Sequence, residues 1–147
     1  MMKKFLCIIA LVAISFTANA QDGDLRIGAN IGFTTGSGDS SFVIGGDIDY
    51  LFDVDSRFEV GAATGLAVVT TGNSIILPLA GAGRFHATNK IDLGLDMGYA
   101  IGINNAGNGF YFRPIFEYKL DNNISLRASY SGVDSGGFLN AGVMFRL

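Results

Sequence analysis

Few residues in this chain could do chemistry. His86 is the one histidine, Cys7 the one cysteine, and there is no tryptophan. Cys7 lies in an N-terminal segment that carries the marks of a removable leader, so the mature chain has no thiolate, disulfide or cysteine metal site. A lone histidine within an alternating segment is read as structural. No metal-ligating set, no catalytic set and no cofactor are expected. Gly36-Ser37-Gly38 and Gly107-Asn108-Gly109 are loop glycines; no helix follows whose N-terminus could bind a phosphate. What remains is charge. Thirteen ionisable residues fall on one face of alternating segments: Arg26, Asp47, Asp49, Arg57, Glu59, Arg84, Asp92, Asp96, Arg113, Glu117, Lys119, Arg127 and Arg146. Seven are basic and six acidic. Enclosed together they should pair, because an unpaired buried charge is strongly destabilising. A structural plug is favoured, and an ion-selective constriction is the functional alternative.

Something must bring these charges together. The first segment does not. Lys3 and Lys4 precede an apolar run from Phe5 to Phe16, and Ala18-Asn19-Ala20 supplies the small-residue pattern of a signal-peptidase site. The run is too short for a bilayer of about 30 Å. The reading is a signal peptide over residues 1–20 and one β-barrel domain over 21–147. Cleavage leaves eight basic residues against thirteen acidic, a net charge of −5. Nucleic acid is set aside as a partner, since phosphate contacts need clustered Lys and Arg.

From Leu25 onward the chain alternates with period two: Leu25, Ile27, Ala29, Ile31 and Phe33 share a face, with Arg26, Gly28, Asn30, Gly32 and Thr34 opposite. The pattern recurs to give eight strands, at about 25–34, 42–52, 57–69, 74–86, 91–102, 110–120, 124–132 and 138–147. Turn-forming Gly, Asn, Asp and Ser separate them. The first, fifth and seventh connections read as long, the second, fourth and sixth as short. This is the pattern of an up-and-down barrel across a membrane. Pro78 and Pro114 fall inside strands, and a bulge is expected at each.

Alternation does not say which face looks inward. Volume and charge do. The uncharged face is bulky, with Ile44, Ile48, Phe58, Leu93, Leu95 and Phe116 among its members; the charged face is rich in Gly and Ala. An eight-stranded interior is just wide enough for side chains and cannot hold that many large ones. Turned outward, they make a lipid-facing band where a charge would cost about 2–4 kcal/mol at the midplane. Tyr50, Phe52, Phe58, Phe85, Tyr118 and Phe145 fall toward one end of the strands, and Phe33, Phe42, Tyr99, Phe110, Phe112 and Tyr130 toward the other. Two such belts suit two membrane interfaces. The fold class is therefore all-β, an eight-stranded antiparallel up-and-down transmembrane β-barrel. With both termini periplasmic, almost all the interior charges fall in the periplasmic half. The outer half is lined by small residues such as Asn30, Gly45, Gly98, Ala100, Ser129 and Ser131. Two states fit it equally: an open, water-filled cup, or a space filled by Tyr111, Ile76 and the loops.

The chain closes on Asn140-Ala141-Gly142-Val143-Met144-Phe145-Arg146-Leu147. This resembles the C-terminal insertion signal of bacterial outer-membrane barrels at Asn140, Gly142, Phe145 and Leu147, with leucine where phenylalanine is usual. The whole mature chain looks like the small eight-stranded OmpX/OmpA-like barrels of the porin family. That resemblance implies the outer membrane of a Gram-negative bacterium, contact with outer-membrane lipid, and assembly by periplasmic chaperones and the barrel-insertion machinery, as a monomer. His86-Ala87-Thr88 resembles the His-x-Ser of barrel lipid A deacylases, with threonine for serine and no acid at a suitable spacing. The expected role is structural, adhesive or weakly permeative, and not catalytic. A soluble periplasmic or secreted barrel binding a small apolar ligand is the alternative, and an outer-membrane lipid-modifying enzyme the third.

Overall fold

The computed structural model describes residues 23–36, 38–104, 106–134 and 136–147; the proposed signal peptide lies outside them. Eight strands follow one another: β1 (Gly23–Thr35), β2 (Phe42–Asp53), β3 (Phe58–Val69), β4 (Ser74–His86), β5 (Ile91–Ile103), β6 (Gly109–Lys119), β7 (Ile124–Val133) and β8 (Gly136–Arg146). Each pairs antiparallel with the next, and β1 pairs with β8 to close the barrel. Closure satisfies every edge, which is the condition for β-structure in lipid. Strands of 10 to 13 residues match the ~9–11 that a tilted transmembrane strand needs.

The two faces sort as their chemistry requires. Ile31, Phe33, Ile44, Leu66, Met97, Phe110 and their neighbours are exposed on the outside, while Arg, Asp and Glu occupy the inside. Aromatic pairs mark both rims. Phe58 and Phe85 lie 5.0 Å apart, centroid to centroid, near the end that carries both termini. Phe112 and Tyr130 lie 6.2 Å apart toward the far end.

Three features differ from expectation. The first and fifth connections, 36–41 and 104–108, are longer than the second, fourth and sixth, as expected, but the seventh is not. The seventh is among the tightest, because β7 and β8 stay paired as far as Val133 with Gly136. The prolines create no bulge. At Pro78 the β3–β4 register is the same on either side of a short break between Thr64↔Leu79 and Ala67↔Ile76, while β4–β5 pairing runs through Pro78↔Ala100. Pro114 likewise keeps Leu95 as its β5 partner and interrupts only the β7 side. A missing N–H removes one ladder bond toward one neighbour; an extra residue is not needed to absorb it. Arg57, finally, is not a lumen residue. It sits exposed in the β2–β3 turn, one position before β3 begins. Its alternation phase was right, but past the last ladder pair nothing holds a long cation over the lumen.

Candidate functional site

Glycine and alanine on the inner face leave room for arginine. A Cβ on Gly94 would meet the Arg84 side chain at 2.7 Å, so Gly94 is the space in which that side chain lies. Arg84 then reaches two strands at once. Its Nη2 donates to Asp49 at 2.9 Å and its Nη1 to Asp96 at 2.7 Å. Arg113 donates to Asp96 from Nε at 3.0 Å and Nη2 at 2.7 Å, and to Asp47 from Nη1 at 2.7 Å. Arg127 donates to Asp49 and, through Nε at 2.7 Å, to Glu117. Arg26 pairs with Glu59 at 2.8 Å and lies 3.5 Å from Glu117. Every member of this set is buried. Because each arginine is a fork with five donors, it can satisfy carboxylates on two strands simultaneously. The result is a cross-linked slab across the lumen, with Leu51, Ala63 and Ala82 filling one side.

Charge balances within it. Arg26, Arg84, Arg113 and Arg127 face Asp47, Asp49, Glu59, Asp92, Asp96 and Glu117, all buried. The two missing positive charges come from the mouth at the terminal end. Lys119 lies 3.2 Å from Asp92, and Arg146 lies 4.0 Å from Glu59 and 3.5 Å from Asp24. With Arg57 outside, six cations meet six carboxylates.

On the far side of the slab the lumen is filled. Val43, Ala67 and Phe138 form a buried apolar cluster, with Val69 and Ile76 packed on it. Tyr111 is 2% exposed and lies 3.5 Å from the Ser131 hydroxyl. Between this cap and Arg113 remains about 10 Å³, room for roughly one water. Among the described residues the outer half is arranged as in the filled of the two states. Phe138, which alternates in phase with Asn140, is a further lumen residue. Only a shallow hollow of about 250 Å³ lies above the cap, lined by Thr34, Ser74, Ile76, Asn108, Asp134 and Phe138 among others. Among the described residues the interior is lined by paired charges and packed apolar groups, and no large apolar cavity of the kind a soluble ligand-binding barrel would need is present.

The His86-Ala87-Thr88 segment is arranged differently from a His-x-Ser site. An acid does stand by the histidine, since His86 Nδ1 lies 2.6 Å from Asp92, six residues on. The threonine, however, accepts the backbone N–H groups of Lys90 and Ile91 and shapes the β4–β5 turn. His86 Nε2 instead faces Glu59 at 3.8 Å. Asp53, Glu59 and His86 present ligand atoms within 4.8 Å of one another at the terminal mouth, a grouping with no role for Asp53 in the sequence pattern. The in-phase placement of Asp53 with Asp47 and Asp49 was the signal available for it.

At the C-terminus, Asn140 is buried inside, and Gly142 packs so that a Cβ would lie 2.3 Å from the Ala29 carbonyl oxygen. Phe145 and Leu147 are exposed on the outside, and the Leu147 N–H donates to the Leu25 carbonyl at 2.9 Å.

The closed eight-stranded antiparallel barrel is matched by solved structures. Ail, the attachment invasion locus protein of Yersinia pestis, superposes with a TM-score of 0.62 at 12% identity, covering 85% of this chain and 97% of that one. This is the fold of the small outer-membrane barrels. The N-terminal barrel domain of Pseudomonas aeruginosa OprF gives 0.55 at 16% identity, over 86% of this chain and all of that one. A de novo designed transmembrane β-barrel gives 0.63 at 12% identity, over 86% and 98%. Ail has also been solved with the heparin analogue sucrose octasulfate. No family model matches the chain, and no curated protein does.

Proposed function

We propose that this chain is a resident of a Gram-negative outer membrane that serves as a monomeric structural barrel, with a lumen closed to solutes and no catalytic activity. The observation that carries the reading is the two-layer closure: the Arg–Asp–Glu slab below and the Val43–Tyr111–Phe138 cap above. In this orientation both termini and the turns at 54–57, 87–90 and 120–123 face the periplasm. Asn140, Gly142, Phe145 and Leu147 are the segment read by the insertion machinery, after delivery by periplasmic chaperones. The lipid partner is met by the bulky outer face.

The external loops support a structural role over an adhesive one. They carry Asp39 and Asp134 and no Lys or Arg, so a polysulfated ligand of the kind bound to Ail finds no cations there. None is long enough to present a broad surface. The test is reconstitution in a planar bilayer. Closure predicts no conductance steps above the empty membrane; a steady single-channel current would refute the plug and favour a pore.

A further inference from the structure

We propose that the periplasm-facing mouth of the barrel binds one zinc-class divalent cation through His86 Nε2, Glu59 and Asp53. The site lies at the mouth-side edge of the plug and shares Glu59 with it, whose Oε2 also accepts from Arg26 at 2.8 Å. Its three residues sit on three neighbouring strands, β2, β3 and β4, where Asp53 pairs with Glu59 and the His86 N–H donates to the Arg57 carbonyl. Their ligand atoms lie within 4.8 Å of one another.

The histidine is held as a ligand would be. A 2.6 Å separation between His86 Nδ1 and the Asp92 carboxylate requires a hydrogen between them, and an ionised carboxylate has none to give. The hydrogen therefore sits on Nδ1, which leaves Nε2 as the ring atom that faces Glu59. Asp92 is fully buried on β5 and fixes the ring. A carboxylate behind a metal-binding imidazole plays this part in zinc sites. Glu59 Oε2 and His86 Nε2 face each other at 3.8 Å. In a tetrahedral zinc site with bonds near 2.0–2.1 Å, ligand atoms stand about 3.3–3.5 Å apart. The pair needs to close by only a few tenths of an ångström, and the exposed Asp53 side chain can swing in.

Charge agrees. Among the described residues Asp53 has no ion pair. The mouth is lined by Asp24, Asp53, Asp55 and Glu59 against Lys119 and Arg146, with Arg57 in the adjoining turn, so it keeps a net negative charge that favours a cation. A vestibule of about 540 Å³ opens onto Asp53, Glu59 and His86 and gives the ion a way in. A ring nitrogen beside two carboxylates selects a zinc-like ion over the oxygen-seeking Mg²⁺ and Ca²⁺.

The experiment titrates zinc chloride into the detergent-folded barrel at pH 7.5 by calorimetry, with folding of each variant checked by unheated gel migration. The expected result is one zinc per chain, not displaced by millimolar Mg²⁺ or Ca²⁺. Asp53→Asn should weaken binding about tenfold or more and His86→Gln should abolish it. If His86→Gln does not fold, Asp53→Asn decides, since that side chain is exposed at the rim. No saturable binding by the unaltered barrel overturns the proposal, and so does zinc binding unchanged in Asp53→Asn. An imidazole ¹⁵N spectrum that remains that of an imidazolium in excess zinc overturns it too, because a proton would then bridge the pair.

Discussion

Replacing Arg113 by alanine tests the plug most directly. Arg113 makes three hydrogen bonds of 3.0 Å or less, two to Asp96 and one to Asp47, and is 3% exposed. Without it neither acid is wholly abandoned. Asp96 keeps Arg84 at 2.7 Å, and Asp47 keeps the Asn30 amide at 3.0 Å and Arg127 at 3.6 Å. The slab as a whole is nonetheless left with one uncompensated negative charge that cannot reach bulk water. Removing one partner of a buried pair costs about 3–5 kcal/mol. At roughly 1.4 kcal/mol per factor of ten, that is a drop of about two to three and a half decades in the folding equilibrium. Since the chain has no tryptophan, unfolding in urea should be followed by far-ultraviolet circular dichroism and by the shift between folded and unfolded gel bands. Adding Asp96→Asn to the Arg113→Ala variant removes the stranded charge and should return part of the loss. A cost below about 1 kcal/mol, the range of solvent-exposed pairs, would mean that water screens the slab and that the lumen is not dry. No recovery in the double variant would show that Arg113 acts through packing and not through charge.

The remaining predictions concern assembly and access. Deleting 143–147 removes the β8 residues that pair with Ala29 to Arg26 on β1 and Leu126 to Ile124 on β7; the truncated chain should be degraded in the periplasm, and normal membrane insertion would count against the terminal signal. With the proposed signal peptide and its Cys7 removed, Ala100→Cys places the one thiol beneath the cap, where Ala100 is fully buried, so a membrane-impermeant thiol reagent added to intact cells should leave it unlabelled. Asn108→Cys, in the β5–β6 loop beside the shallow hollow, should label readily; equal labelling at both would mean the cap is open. Gly98 is unsuitable for this comparison, because a Cβ there would lie 2.0 Å from the Leu79 carbonyl oxygen.

The strands were legible because alternation is a local property. A strand with lipid on one side and a narrow lumen on the other must alternate bulky with small or charged, and Leu25 to Phe33 states this without reference to any other segment. The inward face was legible for the same reason: thirteen charges in phase with glycine and alanine cannot face hydrocarbon. Pairing was not legible. Arg84 meets Asp49 across 35 positions of sequence, Arg113 meets Asp47 across 66, and Arg127 meets Asp49 across 78. Those contacts depend on strand tilt and stagger, which are fixed only when β1 closes on β8. The same closure drives Phe138 and Val43 into one cluster and fills an outer half that composition alone left open. It also brings Asp53, Glu59 and His86 together, which spacing along the chain gives no reason to connect. Where the ladder stops, phase loses its meaning, and Arg57 turns to solvent although it alternates correctly. The sequence by itself determined which side of each strand meets lipid, because that is a transfer energy counted residue by residue. Only the closed barrel decided which charge meets which, because that is a matter of distance across a lumen no single strand defines.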